Sequence, residues 1–141
     1  MNRQPEVWII DDDRAIRWVL EKALSQATIA THSFETADKA LSRLKRDRPD
    51  VIITDIRMPG TDGLALLDQV QHSDPSLPVI IMTAYADLDR AVAAYQGGAF
   101  EYLPKPFDVD EAVAIVRRAL AKTDEGLMPA ASSEAPRVSA D

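Results

Sequence analysis

Five short apolar runs punctuate the chain: Val7 to Ile10, Ile29 to Phe34, Val51 to Thr54, Val79 to Met82 and Phe100 to Leu103. The first, third and fourth are nearly continuous in Val and Ile, the composition of strands buried on both faces. Between the runs, apolar residues recur with helical spacing. Ile16, Val19, Leu20, Ala23 and Leu24 fall at i, i+3, i+4, i+7 and i+8. Ala37, Ala40, Leu41 and Leu44 repeat the pattern, as do Leu88, Ala91, Val92 and Tyr95, and then Val109, Ala112, Val113, Val116 and Leu120. Leu64 to Val70 reads as a shorter, more uniformly apolar helix. Strand thus alternates with helix five times. The prediction is an α/β fold, a doubly wound five-stranded parallel sheet with right-handed crossovers and helices on both faces.

Around Thr123 the pattern stops. Residues 123–141 are rich in Ala, Ser and Pro, and their sizeable apolar groups are Leu127, Met128 and Val138. That is the composition of a flexible linker or tail. The expected organisation is a folded domain over residues 1–122 and a tail over 123–141, the tail pointing to a fragment of a larger protein. The basic run Arg43 to Arg48 reads as a solvated helix end, its cations favoured by the helix dipole.

Composition narrows the function. With 141 residues, 46% hydrophobic and 28% charged, the chain is one ordinary globular domain and not a low-complexity one. The absence of cysteine excludes a disulfide framework, a Cys-ligated zinc site and thiol catalysis. No stretch approaches the roughly 20 apolar residues of a membrane span, and the N-terminus does not read as a signal peptide. A cytoplasmic protein without membrane contact is expected. The net charge of −7 argues against direct nucleic-acid contact through bulk charge.

In a doubly wound sheet, ligands bind outside the carboxyl ends of the strands. There the sequence places Asp11-Asp12-Asp13 after the first run, Asp55 after the third, Thr83-Ala84 after the fourth and Pro104-Lys105-Pro106 after the fifth. Carboxylates on neighbouring strands repel, and each raises the pKa of the other. A divalent cation relieves this, and hard oxygen ligands with room for water suit Mg²⁺. A carboxylate can attack phosphorus to form an acyl phosphate. Mg²⁺ and Lys105 would then neutralise the transferring phosphoryl oxygens while Thr83 offers a hydroxyl. The Lys105-Pro106 bond is a candidate for the cis isomer.

Plainer roles compete for some of these residues. Asp13 fits the N-cap of the first helix, and Asp62-Gly63 fits turn chemistry and a helix start. Tyr102 taken alone reads as a core aromatic. His32 and His72 read as surface residues. Trp18 lies about 200° around its helix from Ile16, off the apolar stripe.

Taken together, Ile9-Ile10-Asp11-Asp12, Ile52 through Gly60, Met82-Thr83-Ala84 and Tyr102 through Phe107 resemble a two-component response-regulator receiver domain, over residues 5 to 122. The stretches Ile16 to Glu21, Asp62 to Leu67 and Gly98 to Asp108 are similar to the receivers of the nitrogen regulatory protein C (NtrC) group. The resemblance implies a flavodoxin-like (βα)5 fold and makes Asp55 the phosphoacceptor. It implies that Mg²⁺ is held by Asp11, Asp12, Asp55 and the backbone carbonyl of Arg57. Thr83 and Lys105 match the residues that sense the phosphoryl group, and Tyr102 matches the aromatic switch. A sensor histidine kinase is the implied phosphodonor. ATPase and DNA-binding output domains are implied in a longer parent that controls nitrogen-regulated genes. The domain would be a switch and not an enzyme in its own right.

Where the group often has His-Ser after Thr-Ala, this chain has Tyr85-Ala86, at the entry to the fourth helix. Tyr102 and that helix are expected to pass the switch to a surface of the last two helices and the last strand. Ile115, off its helix's apolar stripe, is expected on that surface as part of a phosphorylation-dependent homodimer or partner face. Two other readings stay open. Asp11-x-Asp13 resembles the nucleophile loop of haloacid dehalogenase-type phosphatases, which would make Asp11 the nucleophile. A pseudo-receiver that only binds partners is the other. A flavodoxin-like cofactor binder fails, because carboxylates stand where phosphates need glycine or hydroxyl donors.

Overall fold

The computed structural model describes residues 4–84 and 87–126. Strand and helix alternate from end to end: β1 (Glu6–Ile10), α1 (Arg14–Gln26), β2 (Ala30–Phe34), α2 (Ala37–Leu44), β3 (Val51–Asp55), α3 (Gly63–Ser73), β4 (Val79–Ala84), α4 (Leu88–Gln96), β5 (Glu101–Lys105) and α5 (Val109–Gly126). The five strands form one parallel sheet in the order β2-β1-β3-β4-β5. This is the flavodoxin-like order, whose crevice lies at the carboxyl ends of the central strands.

The unbroken apolar runs follow from two cores. Trp8, Ile10, Ile52, Val79 and Ile81 face α2, α3 and α4, where Ala37, Ala40, Leu66, Leu67, Val70, Ala91 and Ala94 meet them. The residues between them, Val7, Ile9, Val51, Ile53, Ile80 and Met82, face α1 and α5, against Leu20, Leu24, Ala112, Ile115, Val116 and Ala119. Alternate side chains of one strand thus fill opposite layers, so every position is apolar. Pro104 sits in β5, an edge strand, where a missing N–H costs no central ladder bond.

Two helices turn differently from the expectation. In α4 the buried residues are Ala91 and Ala94, whereas Leu88, Val92 and Tyr95 are 38%, 41% and 51% exposed. Helical spacing marks a stripe without saying which side faces the sheet, and here the small side chains do, allowing close approach. In α5, Ile115 is buried with Ala112, Val116 and Ala119, so it cannot serve as a partner face. Val109, assigned to the stripe from its spacing, is the exposed residue.

Smaller differences follow local chemistry. α3 runs beyond Val70 to Ser73, and α5 continues past Thr123 to Gly126. Residues 127–141, most of the expected tail, lie outside the described residues, as do Tyr85 and Ala86. His32 is half-buried against Phe34, with ring centroids 4.7 Å apart, while His72 is exposed as expected. The basic run is a solvated helix end, with Arg43 paired to Asp47 and Arg48 to Asp74. Among the described residues, no helix is long and apolar enough to cross a membrane.

Candidate functional site

The carboxyl edge of the sheet gathers the polar residues that the strand ends carry. Asp11 follows β1 directly, and its N–H donates to Phe34 O at 3.1 Å, continuing the sheet by one residue. Asp55 is the last residue of β3 and Lys105 the last of β5, with Thr83 one residue from the end of β4. Lys105 extends from the edge strand towards the centre. Its ammonium donates to Asp11 Oδ2 at 2.8 Å and stands 3.3 Å from Asp55 Oδ1. The Lys105-Pro106 peptide is cis. Asp11 Oδ1 accepts from the Asp13 N–H at 2.9 Å.

One carboxylate oxygen from each of Asp11, Asp12 and Asp55 lies within 4.8 Å of the other two. Asp13 stands outside this group. It is the N-cap of α1, as its position suggested, and accepts from the Ala15 N–H at 2.9 Å. Asp62 likewise caps α3, accepting from the Ala65 N–H at 2.9 Å.

One ammonium stands against the Asp11 and Asp55 carboxylates, and the titration of Asp55 and Lys105 reflects it. Burial pushes the Asp55 carboxyl above the ordinary aspartate value, and the charge of Asp11 pushes the same way. Lys105 and the Ile56 N–H oppose them without prevailing. Burial works to lower the Lys105 pKa, but the hydrogen bond it donates to Asp11 and the charges of Asp11 and Asp55 outweigh this and leave its pKa raised. The pocket therefore carries excess negative charge on hard oxygens, with Asp12 exposed and Asp11 wholly buried. That donor set suits a small divalent cation such as Mg²⁺.

The remaining expected residues stand near this group but are engaged elsewhere. Thr83 is buried, and its hydroxyl donates to Ala84 O at 3.0 Å. Tyr102 points into the layer shared with α4, its ring edge-on to Tyr95 with centroids 6.5 Å apart. Gly63, at the start of α3, packs against the backbone at the end of β3, so a Cβ there would fall 2.1 Å from Asp55 O.

Three arginines around the rim have side-chain roles that the spacing does not reveal. Arg57 clamps the buried carboxylate of Asp87 through Nε at 2.5 Å and Nη2 at 2.6 Å, tying the β3–α3 loop to the start of α4. The hydrogen bond from Arg57 holds the Asp87 carboxyl below its ordinary range. Arg90 of α4 pairs with Asp62 at 3.0 Å. Arg17 of α1 donates to the backbone carbonyl of Asp11 at 2.7 Å. For Arg57 and Asp87 the available signal is position, because each lies just beyond a strand end that carries site residues.

Residues 7–117 match the response regulator receiver domain family. The chain is 58% identical over 123 residues to the DNA-binding transcriptional regulator NtrC of Salmonella typhimurium, covering 87% of this chain and 26% of that protein. It thus spans about a quarter of the length of that curated relative. The apo receiver domain of nitrogen regulatory protein C, solved in solution, superposes with a TM-score of 0.77 at 59% identity, covering 86% of this chain and 97% of that one. NtrX from Brucella abortus, crystallised with ADP, gives 0.83 at 30% identity, covering 89% of this chain and 29% of that one. The sheet order, the acid group at its carboxyl edge and these matches agree: the chain belongs to the response-regulator receiver domains, of the NtrC-like kind.

Proposed function

We propose that the domain is a phosphoacceptor switch with Asp55 as the accepting residue. The observation that carries this reading is the convergence of Asp11, Asp12 and Asp55 with Lys105 at one sheet edge. A side-chain oxygen of Asp55 attacks the phosphorus of a phosphohistidine on a sensor kinase. The P–O bond of an acyl phosphate forms as the P–N bond breaks, and the leaving imidazole nitrogen keeps the bonding pair and takes a proton. Asp11, Asp12, Asp55 and the Arg57 carbonyl would hold Mg²⁺, which supplies charge neutralisation at the phosphoryl oxygens. Lys105 stays at the acceptor oxygen and balances part of the added charge. Asp11 is a poor candidate nucleophile for the phosphatase alternative, because it is fully buried and both its oxygens are engaged.

Switching follows from competition for donors. A phosphoryl group adds acceptors that the Thr83 hydroxyl can bond only by leaving Ala84 O. Such differential bonding shifts a two-state equilibrium. Tyr102, through Tyr95, links the site's strand to α4, whose exposed Leu88, Val92 and Tyr95 offer an apolar face for the output domains or a second copy. In a longer parent the regulated elements would be an ATPase and a DNA-binding domain acting at nitrogen-controlled genes in the cytoplasm. The domain itself would turn over no substrate beyond its own phosphorylation and dephosphorylation.

The test is intact mass after incubation with Mg²⁺ and acetyl phosphate. A single phosphoryl adduct is expected on the wild type and none on Asp55→Asn or without Mg²⁺. An adduct that survives Asp55→Asn and disappears with Asp11→Asn would overturn the assignment.

A further inference from the structure

The β1–α1 turn supplies two of the three clustered carboxylates, so whatever holds that turn sets their geometry. Asp11 is held at four points. Its N–H donates to Phe34 O, its Oδ1 accepts from the Asp13 N–H and its Oδ2 accepts from Lys105. The fourth contact is the 2.7 Å hydrogen bond from Arg17 Nη1 to its backbone carbonyl. That carbonyl belongs to the peptide plane joining Asp11 to Asp12, so fixing it fixes the direction in which the chain enters Asp12. Asp12 is exposed, and among the described residues its carboxylate has no hydrogen-bond or ion-pair partner to aim it.

The placement of Arg17 runs against simple helix electrostatics. It lies in the first turn of α1, which carries no acidic residue, where the helix dipole disfavours a cation. Side chains on a helix lean towards its N-terminus, and an arginine at this position reaches back over the preceding turn. The guanidinium makes its hydrogen bond there, on a side chain that is half-buried.

We propose that Arg17 is a positioning residue for the divalent-cation site: by holding the Asp11 carbonyl it orients the Asp11–Asp12 pair for metal binding. This rests on the reading of Asp11, Asp12 and Asp55 as Mg²⁺ ligands. The direction of the effect is diagnostic. As a mere positive charge, Arg17 would repel the cation, and its removal would tighten binding. As a positioning group, its removal weakens binding in spite of the lost repulsion.

The experiment is a Mg²⁺ titration of the unphosphorylated protein, followed by the amide NMR shifts of Asp11, Asp12 and Asp55. Arg17→Met is expected to weaken Mg²⁺ binding about 10-fold, the lower range for loss of an outer-shell partner. Arg14→Met removes the same charge from the same helical turn without touching Asp11, and is expected to leave affinity unchanged or slightly tighter. Arg17→Lys keeps the charge with a shorter reach and is expected to fall between wild type and Arg17→Met. It also serves if the methionine variant does not fold. Binding by Arg17→Met as tight as wild type or tighter overturns the proposal. So does equal weakening by Arg14→Met, or a lysine variant indistinguishable from wild type. A wild-type protein with no saturable Mg²⁺ response would refute the metal reading itself, a separate outcome from any difference among the variants.

Discussion

Substituting Gly63 tests how tightly the start of α3 is packed against the end of β3. A Cβ at this position would lie 2.1 Å from Asp55 O and 3.0 Å from both Asp55 C and Ile56 Cα. Relieving the closest contact requires a shift of about 1 Å, since carbon and oxygen seldom approach much below about 3.2 Å without strain. The backbone gives little room, because the Gly63 N–H is bonded to Ile56 O at 2.9 Å and Asp62 caps the same turn. Overpacking of this kind costs about 1–3 kcal/mol, and a weakened Gly63–Ile56 hydrogen bond adds about 1 kcal/mol. Alanine's better helix propensity returns at most about 1 kcal/mol. Gly63→Ala should therefore destabilise the domain by about 1–3 kcal/mol. For a domain of this size that lowers the Tm by roughly 3–15 °C. The same shift moves the Asp55 backbone, so phosphorylation by acetyl phosphate should slow even at temperatures where the variant is fully folded. Thermal unfolding by circular dichroism and adduct formation by intact mass give the two readouts. A variant within about 2 °C of wild type that phosphorylates at the wild-type rate would refute the packing argument.

Other perturbations follow from the same geometry. The raised pKa of Asp55 means that its protonated form is favoured by folding: that stability is present below the ordinary aspartate value and lost as pH rises through the folded value. At neutral pH the ionised group is a liability, so Asp55→Asn should raise stability by about 1 kcal/mol; a lower Tm would contradict this. Asp87 has the opposite sign, its depressed pKa giving stability that is present above the unfolded value and lost as pH falls through the folded one. The stability lost in Arg57→Ala should accordingly be greatest at neutral pH and vanish on acidification, as read from Tm against pH. Ile115→Ala should cost about 2–4 kcal/mol in urea unfolding, whereas the exposed Val92→Ala should stay within about 0.5 kcal/mol. Equal effects would mean that the two helix faces are assigned wrongly.

Much of this molecule is legible from its sequence. The strand positions are, because parallel strands buried on both faces admit no polar residue until their ends. Asp11, Asp55, Thr83 and Lys105 are legible for the complementary reason, standing where the apolar runs stop. The facing of α4 is not, because Leu88, Val92 and Tyr95 form as good a helical stripe as any buried one. What decides it is how closely the helix approaches the sheet, and only Ala91 and Ala94 permit that approach. Ile115 fails similarly, since it lies at the margin of a stripe whose centre depends on how α5 crosses the sheet. The hydrogen bond from Arg17 to a carbonyl leaves no mark, and the clamp of Arg57 on Asp87 is marked only by the position of both residues just beyond strand ends, because such contacts depend on where long side chains reach across loops.

Seating α4 on alanines has a consequence for the energetics of local opening. α3 is anchored by Leu66, Leu67 and Val70, each worth about 1.5–3 kcal/mol when fully buried. The two buried side chains of α4 are single methyl groups, about 0.8 kcal/mol apiece. The free energy needed to detach α4 from the sheet is correspondingly a small part of that needed to unfold the domain. Its backbone amides should exchange with deuterium well before those of α3, and equal protection in the two helices would contradict this. In the receiver this leaves one helix in a shallow well, where even the roughly 1 kcal/mol of a rearranged hydrogen bond beneath it is a sizeable fraction of what holds it.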